Sequence, residues 1–330
     1  MRHFPVLTWI VVFSFSPIVF AKTSALKKDE LSRSDNVNPP FTVKTGKKDK
    51  RRSMGDYEII ESKIGNYFSV RQKSSGEVMH SVNPPIEEAN LLYIQQSNLE
   101  HVLLEQDTTP IVLWDVGLGA ATNSMAAVSL HERIESNREL RIYSFENDLT
   151  PLKLALKNHG RFPHLFHKAP LELLKNGNWK SDNGNIEWKL IDGKFQEHYQ
   201  SVEFPNYIFY DPFSFKTDSD LWTLNFFSEL HSHLNKYNHQ ISLYTYSGAT
   251  GVRGSMLGAG FFVAKGIRSG PKSDTTIAFT RMPISDQHKK ILLDTHWLEK
   301  WKRSDAKYPS DISISKEDWE KRILNHPQFL

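Results

Sequence analysis

The chain contains no cysteine. That excludes disulfides, thiolate metal sites and a cysteine nucleophile, and it suits a reducing compartment. An excess of charge of either sign is missing too. The formal net charge is +3, too small to project a strong field toward a polyanion. There is no internal repeat and no glycine-rich phosphate loop ending in Gly-Lys-Ser/Thr. After residue 21 no apolar run reaches membrane-spanning length, so no stable membrane insertion is expected there. What the sequence does carry is bulky apolar area. With 39% hydrophobic residues, 8 Trp and 20 Phe, it has the material for a substantial core.

The N-terminus has its own pattern. Arg2 and His3 precede an apolar run from Phe4 to Phe20, and Val19-Phe20-Ala21 resembles a small-residue cleavage site. Residues 1–21 read either as a signal peptide or as a mis-assigned start ahead of Met54. Residues 22–53 are rich in Lys, Ser, Asp and Asn and include the cluster Lys47-Lys48-Asp49-Lys50-Arg51-Arg52. With few side chains to bury, they read as a disordered basic linker. Residues 54–330 form the expected folded domain.

From Ile111 onward, short apolar runs alternate with longer helical patterns, the signature of a parallel sheet wrapped by helices. Strands are predicted at Ile111–Val116, Arg141–Glu146, Ile186–Ile191, Tyr207–Tyr210 and Ile241–Tyr246, with helices near 121–134 and 221–234. Gly260–Ala264 and Thr275–Phe279 flank a loop containing Arg268, Gly270 and Pro271, and read as an antiparallel hairpin closing the sheet. After Asp286 the tail reads as helical, with Trp297, Leu298 and Trp301 as packing residues. The fold class expected is α/β, a Rossmann-like class I S-adenosylmethionine-dependent methyltransferase fold with a mostly parallel sheet and a terminal antiparallel hairpin.

Ligands of open α/β sheets bind beyond the carboxyl ends of the strands. Gly117 and Gly119 follow the first strand and let backbone approach a ligand closely. Glu146 ends the second strand, where an acidic side chain accepts hydrogen bonds from ribose hydroxyls. Asp192 ends the third strand and is a candidate acceptor for an adenine amino group. Asp211 ends the fourth, in the aromatic setting Tyr210-Asp211-Pro212-Phe213. No third glycine follows Gly119, since Ala120-Ala121 stands there. A nucleoside ligand without a phosphate is therefore expected, and S-adenosyl-L-methionine is the commonest of that kind.

Three blocks carry a more specific signal: Gly117-Leu118-Gly119-Ala120-Ala121-Thr122-Asn123; Asp211-Pro212-Phe213 running to Leu221-Trp222; and Thr245-Tyr246-Ser247 running through Val252-Arg253 to Ala259-Gly260-Phe261. Upstream stand Met79-His80-Ser81 and Glu88-Ala89-Asn90 to Leu99. Together these resemble the methyltransferase domain of the MnmC family, which methylates 5-aminomethyl-uridine derivatives at the tRNA wobble position. The resemblance implies that Gly117, Gly119 and Asn123 line the methionine end of the cofactor, Glu146 holds the ribose and Asp192 the adenine edge. It implies Asp211 as the catalytic residue that orients the acceptor amine, with Phe213 and Arg253 on the substrate side. It implies tRNA as partner and no metal. Nothing resembles the flavin oxidase domain fused to this domain in many family members, so no flavin is implied.

The departures fall mostly on the acceptor side. Ala121 replaces the third glycine of the family pattern, Pro212 a small residue, and Gly254 a second arginine, while Thr217-Asp218-Ser219-Asp220 stands where Lys-Asn-Pro-Glu is usual. A tRNA methyltransferase is expected in the cytoplasm, whereas a genuine signal segment implies export. Two other readings stay open: a methyl or aminopropyl transferase acting on a small amine, and an exported, inactive Rossmann-like binding protein.

Overall fold

The computed structural model describes residues 41–42, 52–63, 65–80, 83–268 and 274–330. The signal-like segment, most of the linker with its basic cluster up to Arg51, Ser81 and the hairpin-loop residues Gly270 and Pro271 lie outside them.

A small antiparallel sheet comes first, built from β1 (Phe41–Thr42), β2 (Ser53–Met54), β3 (Tyr57–Ser62) and β4 (Phe68–Gln72). β3 pairs with all three of the others. Phe41, Thr42 and Ser53 belong to the stretch read as linker and pair with β3 here. Pairing to the edge of β3 uses backbone groups, which demand no apolar pattern. A helical connection follows: α1 (Pro85–Ala89), a π-helical segment at Asn90–Gln95, and α2 (Leu99–Leu104).

The main sheet has eight strands. In chain order these are β5 (Ile111–Val116), β6 (Leu140–Glu146), β7 (Asn178–Lys180), β8 (Ile186–Asp192), β9 (Tyr207–Tyr210), β10 (Ser242–Thr245), β11 (Phe262–Arg268) and β12 (Asp274–Phe279). Their spatial order is β11-β12-β10-β9-β5-β6-β8-β7. Strands β8, β6, β5, β9 and β10 run parallel. β12 enters antiparallel between β10 and β11, giving the terminal hairpin. The connecting helices are α3 (Thr122–Arg133), α4 (Thr150–Lys157), α5 (Lys168–Asn176), α6 (Phe195–His198), α7 (Leu224–Leu234) and α8 (Thr250–Ala259). The tail adds α9 (Asp286–Ile291), α10 (Thr295–Lys302) and α11 (Lys316–Leu324). Among the described residues, no helix is long and apolar enough to cross a membrane.

Every residue of β5 is buried. Leu113 joins the apolar layer on one face of the sheet, Val112, Trp114 and Val116 that on the other. Each such side chain contributes about 1.5–3 kcal/mol by leaving water. The tail completes the second layer: Trp297, Leu298 and Trp301 are buried, and Trp319 closes over α8. Asp311 accepts from the backbone nitrogens of Leu224 (3.0 Å) and Asn225 (2.8 Å) and so fastens the tail to the start of α7.

Candidate functional site

The carboxyl ends of β5, β6 and β9 open into a cleft of about 1080 Å³. Its floor is the turn after β5. Gly117 has φ +89°, and a Cβ there would stand 2.7 Å from the Asp211 carbonyl oxygen. Only glycine fits two strand ends brought this close. Ala121, at the family's third glycine, holds φ +63° as the residue before α3. A side chain in that conformation costs about 1–2 kcal/mol, which the surrounding packing of this fully buried methyl offsets.

Glu146 lines the cleft and is held by backbone. One carboxylate oxygen accepts from Gly119 N (3.0 Å), the other from Asn147 N (2.9 Å) and Asp148 N (3.0 Å). Burial pushes its pKa up to about 7 against those three bonds. Beneath the turn, Asp115 is fully buried and accepts from Ser124 (2.6 Å) and Ser144 (2.8 Å), while the Trp188 indole donates to Ser144 (2.9 Å). Burial pushes Asp115 up to about 7 as well, the two serine bonds opposing it.

Asp211 follows β9 and faces the same cleft. Asn123, on the first turn of α3, donates to its Oδ2 at 2.7 Å, and the other Asn123 atom, Oδ1, is buried without a partner. Burial raises Asp211 to about 6, while the charge of His80 and the Asn123 bond pull it down. The loop beyond Asp211 is folded on itself. Trp222 donates to the Phe213 carbonyl (2.7 Å), Asp218 accepts from Phe213 N (2.9 Å), and Tyr246 donates to the Pro212 carbonyl (3.1 Å). These bonds give the aspartate–aromatic–tryptophan block its structural reason. Phe213 thereby lines the cleft.

Gly117, Gly119, Asn123, Glu146, Asp211 and Phe213 are thus brought to one cleft. Two other expected residues are not. Asp192 is exposed at the end of β8, and Gly193 to Gln196 line the cleft in its place. Arg253, expected toward the substrate, lies buried between α8 and β12. It donates to Thr276 Oγ1 (2.9 Å) and to the carbonyls of Asp274 (3.3 Å) and Thr275 (2.8 Å). A guanidinium facing inward from a helix needs acceptors, and the edge of β12 supplies them.

The residues that sequence reasoning left without a role come from the N-terminal part. Glu77, Met79, His80 and Glu88 roof the cleft, and Glu77 accepts from Ser214 N (3.0 Å) and from the Ser214 hydroxyl, latching the roof to the loop after Asp211. The Tyr93 hydroxyl, buried in the π-helical segment, faces Asp211 outside hydrogen-bond geometry. The upstream block Met79-His80 and Glu88-Ala89-Asn90 was the available signal. Among the described residues, no group of three or more His, Asp or Glu side chains is placed to hold a metal ion.

The floor passes a test of fit for a nucleoside bearing an amino acid. It offers a turn with glycine at 117 and 119, an acidic residue at the end of β6, an unpartnered buried amide oxygen and no phosphate loop. The family described as S-adenosyl-L-methionine-dependent methyltransferase matches residues 157–281. The fold is that of class I S-adenosyl-L-methionine-dependent methyltransferases, and the family model matches fewer than half of the chain's residues. Within that class its methyltransferase domain is MnmC-like in fold. It is similar to MnmC2 from Aquifex aeolicus at TM-score 0.59 and 23% identity, over 81% of this chain and 84% of that one. It is also 24% identical over 227 residues to the uncharacterized protein MJ0670 of Methanocaldococcus jannaschii, covering 68% of this chain and 60% of the relative's length.

Proposed function

We propose that the chain is a cytoplasmic N-methyltransferase that acts on the 5-aminomethyl group of a modified wobble uridine in tRNA, with residues 54–330 as the methyltransferase domain. The carrying observation is the placement of Asp211. It lines the cleft, against the glycine turn and tied to Asn123. When bound, S-adenosyl-L-methionine would supply an electrophilic methyl group to the acceptor nitrogen, whose proton Asp211 is placed to accept. Asp211 orients the amine and takes its proton, and most of the rate comes from holding the reacting atoms in contact. In this reading Glu146 holds the ribose, Gly117, Gly119 and Asn123 border the methionine end, Asp192 or the backbone beside it meets the adenine edge, and Phe213 borders the acceptor.

One observation favours a second reading, in which the acceptor is a small cationic amine. The acceptor side of the cleft carries Glu77, Glu88, Asp211, Asp218 and Asp220, against His80, Lys194 and Lys216. That balance suits an ammonium better than a phosphate backbone. The test is transfer of labelled methyl from S-adenosyl-L-methionine to tRNA bearing 5-aminomethyl-uridine, with polyamines and monoamines assayed in parallel. Label on the tRNA that disappears in Asp211→Ala supports the first reading. Label on the amines alone supports the second, and label on neither by a chain that binds cofactor rejects both.

A further inference from the structure

Two carboxylates, Glu88 and Asp211, are withdrawn from water at the acceptor side of the cleft. Glu88 comes from α1 and Asp211 from the end of β9, so the fold brings them together across more than a hundred residues. Neighbouring buried carboxylates do not both stay ionised without a cation. Among the described residues, three basic side chains line the cleft: His80, Lys194 and Lys216. The two lysines are exposed, and only His80 is buried.

His80 is built into that place. The backbone of its neighbour Met79 pairs with Val70 of β4 (3.0 Å), and its own nitrogen donates to the buried Ser69 hydroxyl (3.2 Å). Its Nδ1 lies 3.8 Å from Glu88 Oε2, an ion-pair distance. We infer that His80 is a positioning residue of the methyl-transfer site: an imidazolium clamped between Glu88 and Asp211 that holds Asp211 in its ionised, amine-orienting form. This rests on the reading of Asp211 given above.

The remaining neighbours agree with this arrangement. Burial opposes the charged imidazole, yet Glu88 and then Asp211 outweigh it and raise the His80 pKa above its ordinary value. In return the His80 charge is the foremost influence holding Asp211 down against burial. His164, which faces His80 from the short helix at Pro163–Phe166, is pushed down to about 4 by burial and bonds the Ala120 carbonyl at 2.9 Å. It stays neutral and does not compete for the carboxylates. Tyr93 is held protonated by burial and by the Asp211 charge. The cluster therefore contains one cation for two anions, and the negative charge left over suits an incoming ammonium.

The test is a pH titration of ¹⁵N-histidine-labelled full chain by NMR, with the His80 signal assigned by its loss in His80→Gln. Wild type, Glu88→Gln and Asp211→Asn are compared, each checked for folding by thermal melting. We expect His80 to be an imidazolium at pH 7 in wild type and its midpoint to fall by about one unit or more in both variants. A neutral His80 at pH 7 in wild type overturns the inference, and that measurement stands even if a variant does not fold. A midpoint unmoved in either folded variant also overturns it. A second readout is the pH profile of methyl transfer, whose acid limb should move to higher pH in His80→Gln; a uniform loss at every pH marks a merely structural role. If Asp211→Ala still transfers methyl, the functional reading fails instead, and the titration reports on the clamp independently.

Discussion

Asn123 Nδ2 donates to Asp211 Oδ2 at 2.7 Å, joining the first turn of α3 to the end of β9 across the floor of the cleft. Two segments 88 residues apart in sequence thus share one bond within the cleft. Asp211→Ala should lower methyl transfer by about 10²–10⁴-fold, the range for removal of a positioned acid–base group, with calorimetric affinity for S-adenosyl-L-methionine nearly unchanged. Burial pushes Asp211 up to about 6; if it acts in its ionised form as proposed, kcat/KM should fall below that pH in wild type. A profile flat down to pH 5 would remove Asp211 from the chemistry.

Glu146 presents both oxygens to backbone donors around the glycine turn. Its removal in Glu146→Ala takes away a charged acceptor worth about 1.5–3 kcal/mol. Cofactor affinity measured by calorimetry should weaken roughly ten- to hundredfold, and an unchanged Kd rules Glu146 out of the site.

Gly117→Ala introduces a methyl 2.7 Å from the Asp211 carbonyl oxygen at a backbone angle that side chains rarely adopt. The turn must move, at a cost of about 2–4 kcal/mol. Chemical denaturation should show that loss together with reduced cofactor binding.

Asp115 carries a pH signature in stability. Its folded pKa of about 7 lies above the ordinary 3.8, so the folded chain holds this proton more tightly than the unfolded one. The stabilisation is complete below the ordinary value and is lost as pH rises through 7. Asp115→Asn, which removes the buried charge, should stabilise the protein by about 2–4 kcal/mol at pH 8 and by little at pH 4.5. Equal melting of the two proteins at pH 8 would count against a buried charge there.

Arg253 separates structural from substrate roles. Its three bonds run to β12 and none to the cleft. Arg253→Met should cost about 2–4 kcal/mol by stranding buried acceptors, seen as a lower urea midpoint, while KM for the methyl acceptor stays put. A raised KM at unchanged stability would return Arg253 to the substrate side.

β5 and β9 were legible to the residue because strands buried on both faces read as largely apolar runs, broken only by Asp115 in β5 and stopped by Gly117 and Asp211. β6 and β8 differ from their predicted spans by one residue at one end and β10 by one residue at each end, and the hairpin strands reach further toward each other than their apolar cores suggest. The sheet of β1 to β4 was not legible. Tyr57–Ser62 mixes glutamates with isoleucines, and Phe68–Gln72 is half polar, so neither alternates cleanly. Asp211 and Glu146 could be read because strand ends are where open sheets bind ligands. The meeting of His80 and Glu88 with Asp211 could not, since no local pattern encodes a contact made by tertiary packing. Arg253 shows the same boundary. Its position in a block is visible in sequence, but which way the helix turns it is decided by the sheet behind.

The chain of bonds Trp188–Ser144–Asp115–Ser124 crosses three neighbouring strands and the helix after the first of them. It makes the leading edge of the sheet a single braced plate. A nudge at Trp188, which touches no part of the cleft, is passed through two hydroxyls and one buried carboxyl to the strand that ends in the glycine turn. Substitutions well away from any ligand therefore have a mechanical route to cofactor affinity, and the cleft inherits its stiffness from side chains on the hidden side of its floor.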